Sequence, residues 1–187
     1  MRAATAISLV LLAFHAGSGA VAQETSSVLY KDSNWGIVEQ NGGKTCIVVL
    51  NTDDRRHAFH FLVDGELGLA GIGILRDFLP GPGYLTAKKT VAYLDLGPTF
   101  AHEFAFTPRF DTMPMSIEAD IPWRDLGGML RAFEDMHGAT LTFAGGTSWD
   151  VKAPERQSAR EAMDRCWNGA AKSHGTAALS DLSADVA

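Results

Sequence analysis

WGIVEQNGGKTCIVVL, residues 35–50, decides the fold. Trp35 to Glu39 and Thr45 to Leu50 carry the aromatic and β-branched residues that fit a pleated surface. Asn41-Gly42-Gly43 between them is a hairpin turn, because Asn and Gly accept the backbone angles a tight reversal needs. Two antiparallel strands therefore open the domain, and the second of them carries Cys46.

The same grammar of short strand and turn continues downstream. In His57–Val63, Phe59, Phe61 and Val63 share one face, and the other face is not cleanly polar, so this strand is expected to be covered on both sides. Leu67–Leu75 shows Leu67 and Leu69 in one phase and Ile72 and Ile74 in the other; the slip falls at Gly71 and predicts a β-bulge. Pro80-Gly81-Pro82-Gly83 predicts an exposed loop. Val91–Leu96 and Thr99–Phe106 read as an antiparallel pair around Gly97-Pro98. Met113, Met115, Ile117, Ala119 and Ile121 alternate strictly, predicting a strand with one buried and one wet face. Thr140–Phe143 is a further strand, ended by Gly145-Gly146.

Helical spacing interrupts this pattern twice. After Pro122, Leu126, Met129, Leu130, Phe133 and Met136 form one apolar stripe, with Gly138 at the position of a C-cap. From Pro154, Ala159, Ala162, Met163 and Cys166 form another, with Arg156, Arg160, Glu161 and Arg165 outside. The expected fold is α+β, mainly β: an antiparallel sheet or sandwich of about 7–8 short strands with two helices, about 123–137 and 154–167.

The chain has two cysteines. Cys166 lies on the core-facing stripe of the last helix, where it can reach the strand holding Cys46. The pair is expected to form a disulfide, since no C-x-x-C or cysteine–histidine spacing suggests redox or metal chemistry. Closing a loop of this length removes unfolded-state entropy of roughly 4–5 kcal/mol in the chain-entropy model.

Residues 1–22 read as a signal peptide: Arg2, then the apolar run AISLVLLAF (Ala6–Phe14), then Ala20-Val21-Ala22 before Gln23. The apolar run is too short to span a bilayer, which takes roughly 20 residues, so no membrane insertion is expected after cleavage. The remainder divides into a polar lead-in (23–33), one β-rich domain (34–168) and a disordered tail (169–187). Export implies a periplasmic or secreted protein. The formal net charge of −6 disfavours nucleic acid and anionic lipid as partners.

Catalytic spacing is absent. No G-x-S-x-G elbow occurs. His57 and His60 are three apart on a strand and point to opposite faces, so a metal site would have to recruit His102, Asp53 or Asp54 across strands. Carboxylate chemistry would draw on Glu103, Glu118 or Asp120 with a histidine. The glycine-rich GELGLAGIG (Gly65–Gly73) lacks the strand-turn-helix context of a phosphate loop. No cofactor, metal or catalytic residue is expected. Of the four tryptophans, Trp149 and Trp167 either cover sheet ends near the disulfide or, if exposed, anchor a partner. Candidate partner contacts are Trp149, Trp167, and Tyr84 and Arg76 of the loop Arg76–Lys89.

Trp35, the hairpin cysteine Cys46, the strand end Asp95-Leu96-Gly97, the helix-to-strand passage MLRAFEDMHGATLTF (129–143) and the closing helix SAREAMDRC (158–166) occur in an order that resembles the invasion-associated locus B family. The resemblance covers about 130 residues; mid-domain cysteines of that family are missing here, and the closing helix carries Cys166 instead. It implies a non-enzymatic envelope protein with a β-sandwich-like fold and a link to host-cell interaction, and it transfers no binding residue. The expected function is thus an exported binding or structural envelope protein, of invasion-associated or immunity/inhibitor type, whose partner is another envelope or host protein. A small cell-wall or glycan hydrolase and a carrier of a small apolar ligand are the alternatives.

Overall fold

The computed structural model describes residues 26–79, 83, 89–110, 114–134, 138–154 and 157–174. Among them are ten strands: β1 (Ser26–Lys31), β2 (Trp35–Gln40), β3 (Thr45–Asn51), β4 (Ala58–Asp64), β5 (Leu69–Leu75), β6 (Thr90–Asp95), β7 (Ala101–Phe110), β8 (Pro114–Asp120), β9 (Ala139–Phe143) and β10 (Ser148–Val151). Two helices join them, α1 (Leu126–Glu134) and α2 (Gln157–Ser173). The strands form one antiparallel sheet in the order β1-β2-β3-β4-β5-β8-β7-β6-β9-β10.

The sheet turns back on itself at β7. Residues Ala101–Phe106 pair with β6, and Thr107–Phe110 pair with β8, so one long strand belongs to both halves. The far edge then returns to the first half of the sheet. The Asp53 N–H donates to the Asp150 carbonyl (3.2 Å), the Trp35 indole N–H donates to the Lys152 carbonyl (2.6 Å), and the His57 ring stacks on Trp149 at 4.5 Å. The β10 edge is thereby stitched to the β3–β4 turn, a protection that edge strands need.

The enclosed face forms one apolar cluster drawn from strands of both halves and both helices. Phe133 of α1 sits at its centre, 5.7 Å from Trp35, 5.1 Å from Phe61 and 6.0 Å from Trp167 in edge or tilted geometry. Small residues let α2 lie against the sheet: Ala159, Ala162, Ala170 and Ala171 are buried along with Met163, Cys166 and Trp167. Cys46 and Cys166 are disulfide-bonded across a separation of 120 residues, with Cα atoms 5.3 Å apart.

Several expectations need correction. The strands number ten among the described residues, above the expected 7–8. The polar lead-in contains β1, held to β2 by a turn in which the Asp32 carboxylate accepts the backbone N–H groups of Asn34 (2.8 Å) and Trp35 (2.7 Å). β10 was also missed: Trp149 and Val151 are its only large apolar residues, too few for the pattern to register. The last helix extends to Ser173, past the expected end at 167, because Ala170 and Ala171 continue its buried stripe. The first helix proper starts at Leu126, preceded by a 3-10 turn at Trp123–Asp125. No bulge occurs at Gly71, since β5 pairs in continuous register on both sides. Leu67 belongs to the preceding turn, where Gly68 takes a φ of +64°; the phase slip is the boundary between turn and strand. The signal segment 1–22 and the tail beyond residue 174 lie outside the described residues.

Two glycines mark where α2 meets the sheet. A Cβ on Gly65 would collide with the Ala170 carbonyl oxygen, and one on Gly169 would stand 2.6 Å from the Gly43 carbonyl oxygen. Gly65→Ala is expected to destabilise the fold by about 1–3 kcal/mol through overpacking, read as a lower urea midpoint at unchanged slope. An unchanged midpoint would contradict this placement of the helix.

Candidate functional site

Cross-strand register fixes what the outer face of the β1–β5/β8 half presents. Directly paired residues point the same way, so Val38, Ile47, Leu62, Gly71 and Asp120 make one row across β2, β3, β4, β5 and β8. Val49, His60, Gly73 and Glu118 make the next. Val38, Ile47 and Val49 form a second, smaller apolar cluster on this face, with Leu62 and Leu75 against it. The expectation that β4 is covered on both sides agrees with this cluster; on β8 the expected wet face is exposed at Asp120 and half-buried at Glu118, but Ser116 at its start is buried.

Gly71 and Gly73 lack side chains in the middle of these rows and leave a trench of about 100 Å³ along β5. His60 and Leu62 stand on its β4 side, Glu118 and Asp120 on its β8 side, and Leu69 at its end, 55% exposed. The His60 ring fills the Gly73 end: a Cβ there would stand 2.6 Å from its Cε1 and 2.7 Å from its Nε2. Above Gly71, among the described residues, the close atom is the Ala119 carbonyl oxygen, at 3.2 Å from such a Cβ. The Ser116 hydroxyl donates to Glu118 Oε1 at 2.8 Å, orienting that carboxylate. One side of the trench is thus apolar and aromatic, and the other acidic.

Burial pushes the His60 pKa down to about 4, so its imidazole is neutral at pH 7. The group binds its proton more readily in the unfolded chain, where the pKa is about 6.5. Its contribution to stability is therefore complete above pH 6.5 and is lost as the pH falls from there to about 4. His60→Gln is expected to flatten the unfolding free energy across that interval by up to about 3 kcal/mol relative to the parent. Denaturant titrations of both proteins at a series of pH values check this; parallel pH profiles would contradict the burial of the ring.

The structure places the other expected site residues apart from this trench. Trp149 and Trp167 are 3% and 1% exposed, which corrects their assignment as partner contacts. Trp149 packs between His57 and Phe143, and Trp167 beside Phe133. Arg76 opens a 3-10 turn, Arg76–Phe78, and Tyr84 lies outside the described residues. Glu103 is exposed on β7 opposite Tyr93, in the other half of the sheet. His102 is exposed there too, 4.8 Å from the Phe104 ring.

Asp53 accepts from the Asn34 amide (3.2 Å) and the Lys152 N–H (3.3 Å) and ion-pairs with Lys152 Nζ at 3.5 Å. Asp54 accepts from the Thr52 hydroxyl and the Arg56 N–H, and these hydrogen bonds, the Thr52 one foremost, hold its carboxyl below the usual range. Both aspartates thus serve the turn. Among the described residues no group of three His, Cys, Asp or Glu is placed to hold a metal ion. No helix among them is long and apolar enough to cross a membrane.

Glu118 and Asp120 were singled out in the sequence, but their conjunction with His60, Leu62 and Gly71 was not. The available signal was the Gly-x-Gly spacing of Gly71 and Gly73, which puts two missing side chains on one face of a strand. Comparison with known proteins gives no match: no family model, curated protein or solved structure aligns with this chain.

Proposed function

We propose that this chain is an exported, non-enzymatic binding protein of the bacterial envelope, of invasion-associated or immunity/inhibitor type, and that it meets its partner at the trench over Gly71. The leader-like residues 1–22 and the buried disulfide, which suits an oxidising compartment, support export. The observation that carries the binding reading is the trench itself: a concave site with one apolar and one charged side, set in the sheet between β4 and β8. The carrier reading is weaker, because a small-molecule cavity runs to roughly 300 Å³ or more and the trench holds about 100 Å³.

One observation favours a second reading, a glycan or cell-wall hydrolase: His60, Glu118 and Asp120 gather at the same trench. Three features weigh against it. The His60 ring is spent on covering Gly73. The Ser116 hydroxyl is tied to Glu118. The two carboxylates stand side by side on one strand face, whereas glycosidic cleavage needs a pair flanking the scissile bond.

Leu62→Ser and Leu69→Ser, tested against the parent as affinity baits in periplasmic extract of the producing organism, separate the readings. The binding reading expects at least one partner retained by the parent and lost by both variants, with no release of reducing ends from peptidoglycan by any of the three. Identical partner lists would remove the trench as the contact. Reducing-end release that vanishes in Glu118→Gln would replace binding with hydrolysis.

A further inference from the structure

We infer that His57 is a latch on the seam where the β10 edge meets the first half of the sheet, and that this seam opens ahead of the rest of the fold. The latch goes beyond the binding reading and stands whichever surface meets a partner. Seam and strand ladders are held very differently. Along β3 every residue from Thr45 to Asn51 has a partner on β4, and such a ladder opens only when many bonds break together. Among the described residues the seam has one backbone–backbone bond, from the Asp53 N–H to the Asp150 carbonyl at 3.2 Å. The Asp53 carboxylate adds the Lys152 N–H at 3.3 Å and an ion pair with Lys152 Nζ at 3.5 Å. The Lys152 side chain is 76% exposed, so that ion pair is worth little. Behind it, the Trp35 indole N–H donates to the Lys152 carbonyl.

His57 closes the seam from the side. It precedes β4, is half-buried, and touches two other elements at once. Its ring lies flat on Trp149 of β10, with centroids 4.5 Å and planes 10° apart. Its Nδ1 is 2.8 Å from the Phe78 carbonyl oxygen; a carbonyl only accepts, so Nδ1 carries the hydrogen and donates it. Phe78 ends the 3-10 turn Arg76–Phe78 that follows β5. One side chain thus fastens the start of β4 to the last strand and to the chain leaving β5. The stack takes a flat ring and the hydrogen bond takes a donor on that ring, and histidine supplies both.

The latch guards the interior. Trp149 and Val151 of β10 belong to the enclosed apolar cluster. When the seam parts, β10 keeps its pairing with β9, and Trp149 is the side chain that water reaches. A cleft of about 250 Å³ already runs beside the seam, lined by Asp53 from the first half of the sheet and by Asp95, Thr140 and Asp150 from the second. Release of His57 widens this cleft toward the core.

Two indoles give the test an internal control. The Trp149 and Trp167 N–H groups are both buried with no hydrogen-bond partner among the described residues, so each exchanges its hydrogen only when water gains access. Trp149 lies at the seam, and Trp167 lies beside Phe133 in the core. Hydrogen exchange of the full, disulfide-bonded chain is followed by NMR. In the parent the Trp149 indole is expected to exchange about tenfold faster than that of Trp167. His57→Ala should speed Trp149 by about a further tenfold, leaving Trp167 and the ladder amides of Val48 and Ile72 unchanged. His57→Phe keeps a flat ring without the donor, so Trp149 should stay near the parent rate. His57→Asn keeps a donor near the Nδ1 position without the ring, so Trp149 should follow His57→Ala. Should His57→Ala not fold, the Phe and Asn variants carry the same comparison. Equal exchange of the two indoles in the parent would overturn the early opening of the seam. An unchanged Trp149 rate in His57→Asn would overturn the latch. Equal acceleration of Trp149, Trp167, Val48 and Ile72 would also overturn it, by making His57 a general support of the fold.

Discussion

A single bond between Cys46 of β3 and Cys166 of α2 holds the last helix of this chain against its second hairpin. Four of the seven buried residues of that helix are alanine, which removes little apolar area from water, so Met163 and Trp167 supply most of its apolar burial. What the small residues provide is proximity. Gly169 lies against the Gly43 carbonyl in the β2–β3 turn, and Gly65, just after β4, lies against the Ala170 carbonyl, so backbone meets backbone at both places. The disulfide then fixes that contact against the entropy of a long intervening loop. Arg165 adds an ion pair to Glu39 at 2.8 Å, of small worth at a mostly exposed arginine.

With α2 locked in place, the enclosed face of the sheet is filled, and Phe133, Phe61, Trp35 and Trp167 interlock at its centre. Trp35 also satisfies its indole N–H on Lys152. The inner face is thus filled by aromatic packing, and the proposed contact lies on the outer face. There the same sheet is apolar again over Val38, Ile47 and Val49 and breaks into the trench where β5 has glycine. A strand buried on one face and grooved on the other links the packing of the core to the proposed contact through nothing more than the two-residue period of β structure.

Much of this was legible in the sequence, for reasons that differ by element. The hairpin WGIVEQNGGKTCIVVL is locally consistent in turn chemistry and in β-branched content, and β2 and β3 fall within a residue or so of its reading. The disulfide followed from the helical stripe that carries Cys166. β1 and β10 were not legible because both are edge strands with little apolar pattern, β1 opening on two serines and β10 alternating over only four residues, and they exist through pairing with β2 and β9. The trench was illegible for a deeper reason. His60, Gly71 and Asp120 are far apart in the chain, and only the inter-strand register puts Leu62 opposite Gly71 and Gly71 opposite Asp120. A shift of one residue would have pointed all of them inward. The tryptophans show the converse: their size made them plausible anchors, and the same size places them in the core.

The account stands or falls on the covalent closure between the second hairpin and the final helix, because the filled interior and the outward-facing site both presuppose it. Proteolysis of the unreduced protein followed by mass spectrometry tests it directly. The predicted result is one linked species joining the peptide of Cys46 to the peptide of Cys166, with no thiol available to alkylation before reduction. Two separately alkylated cysteines in the folded protein would contradict it.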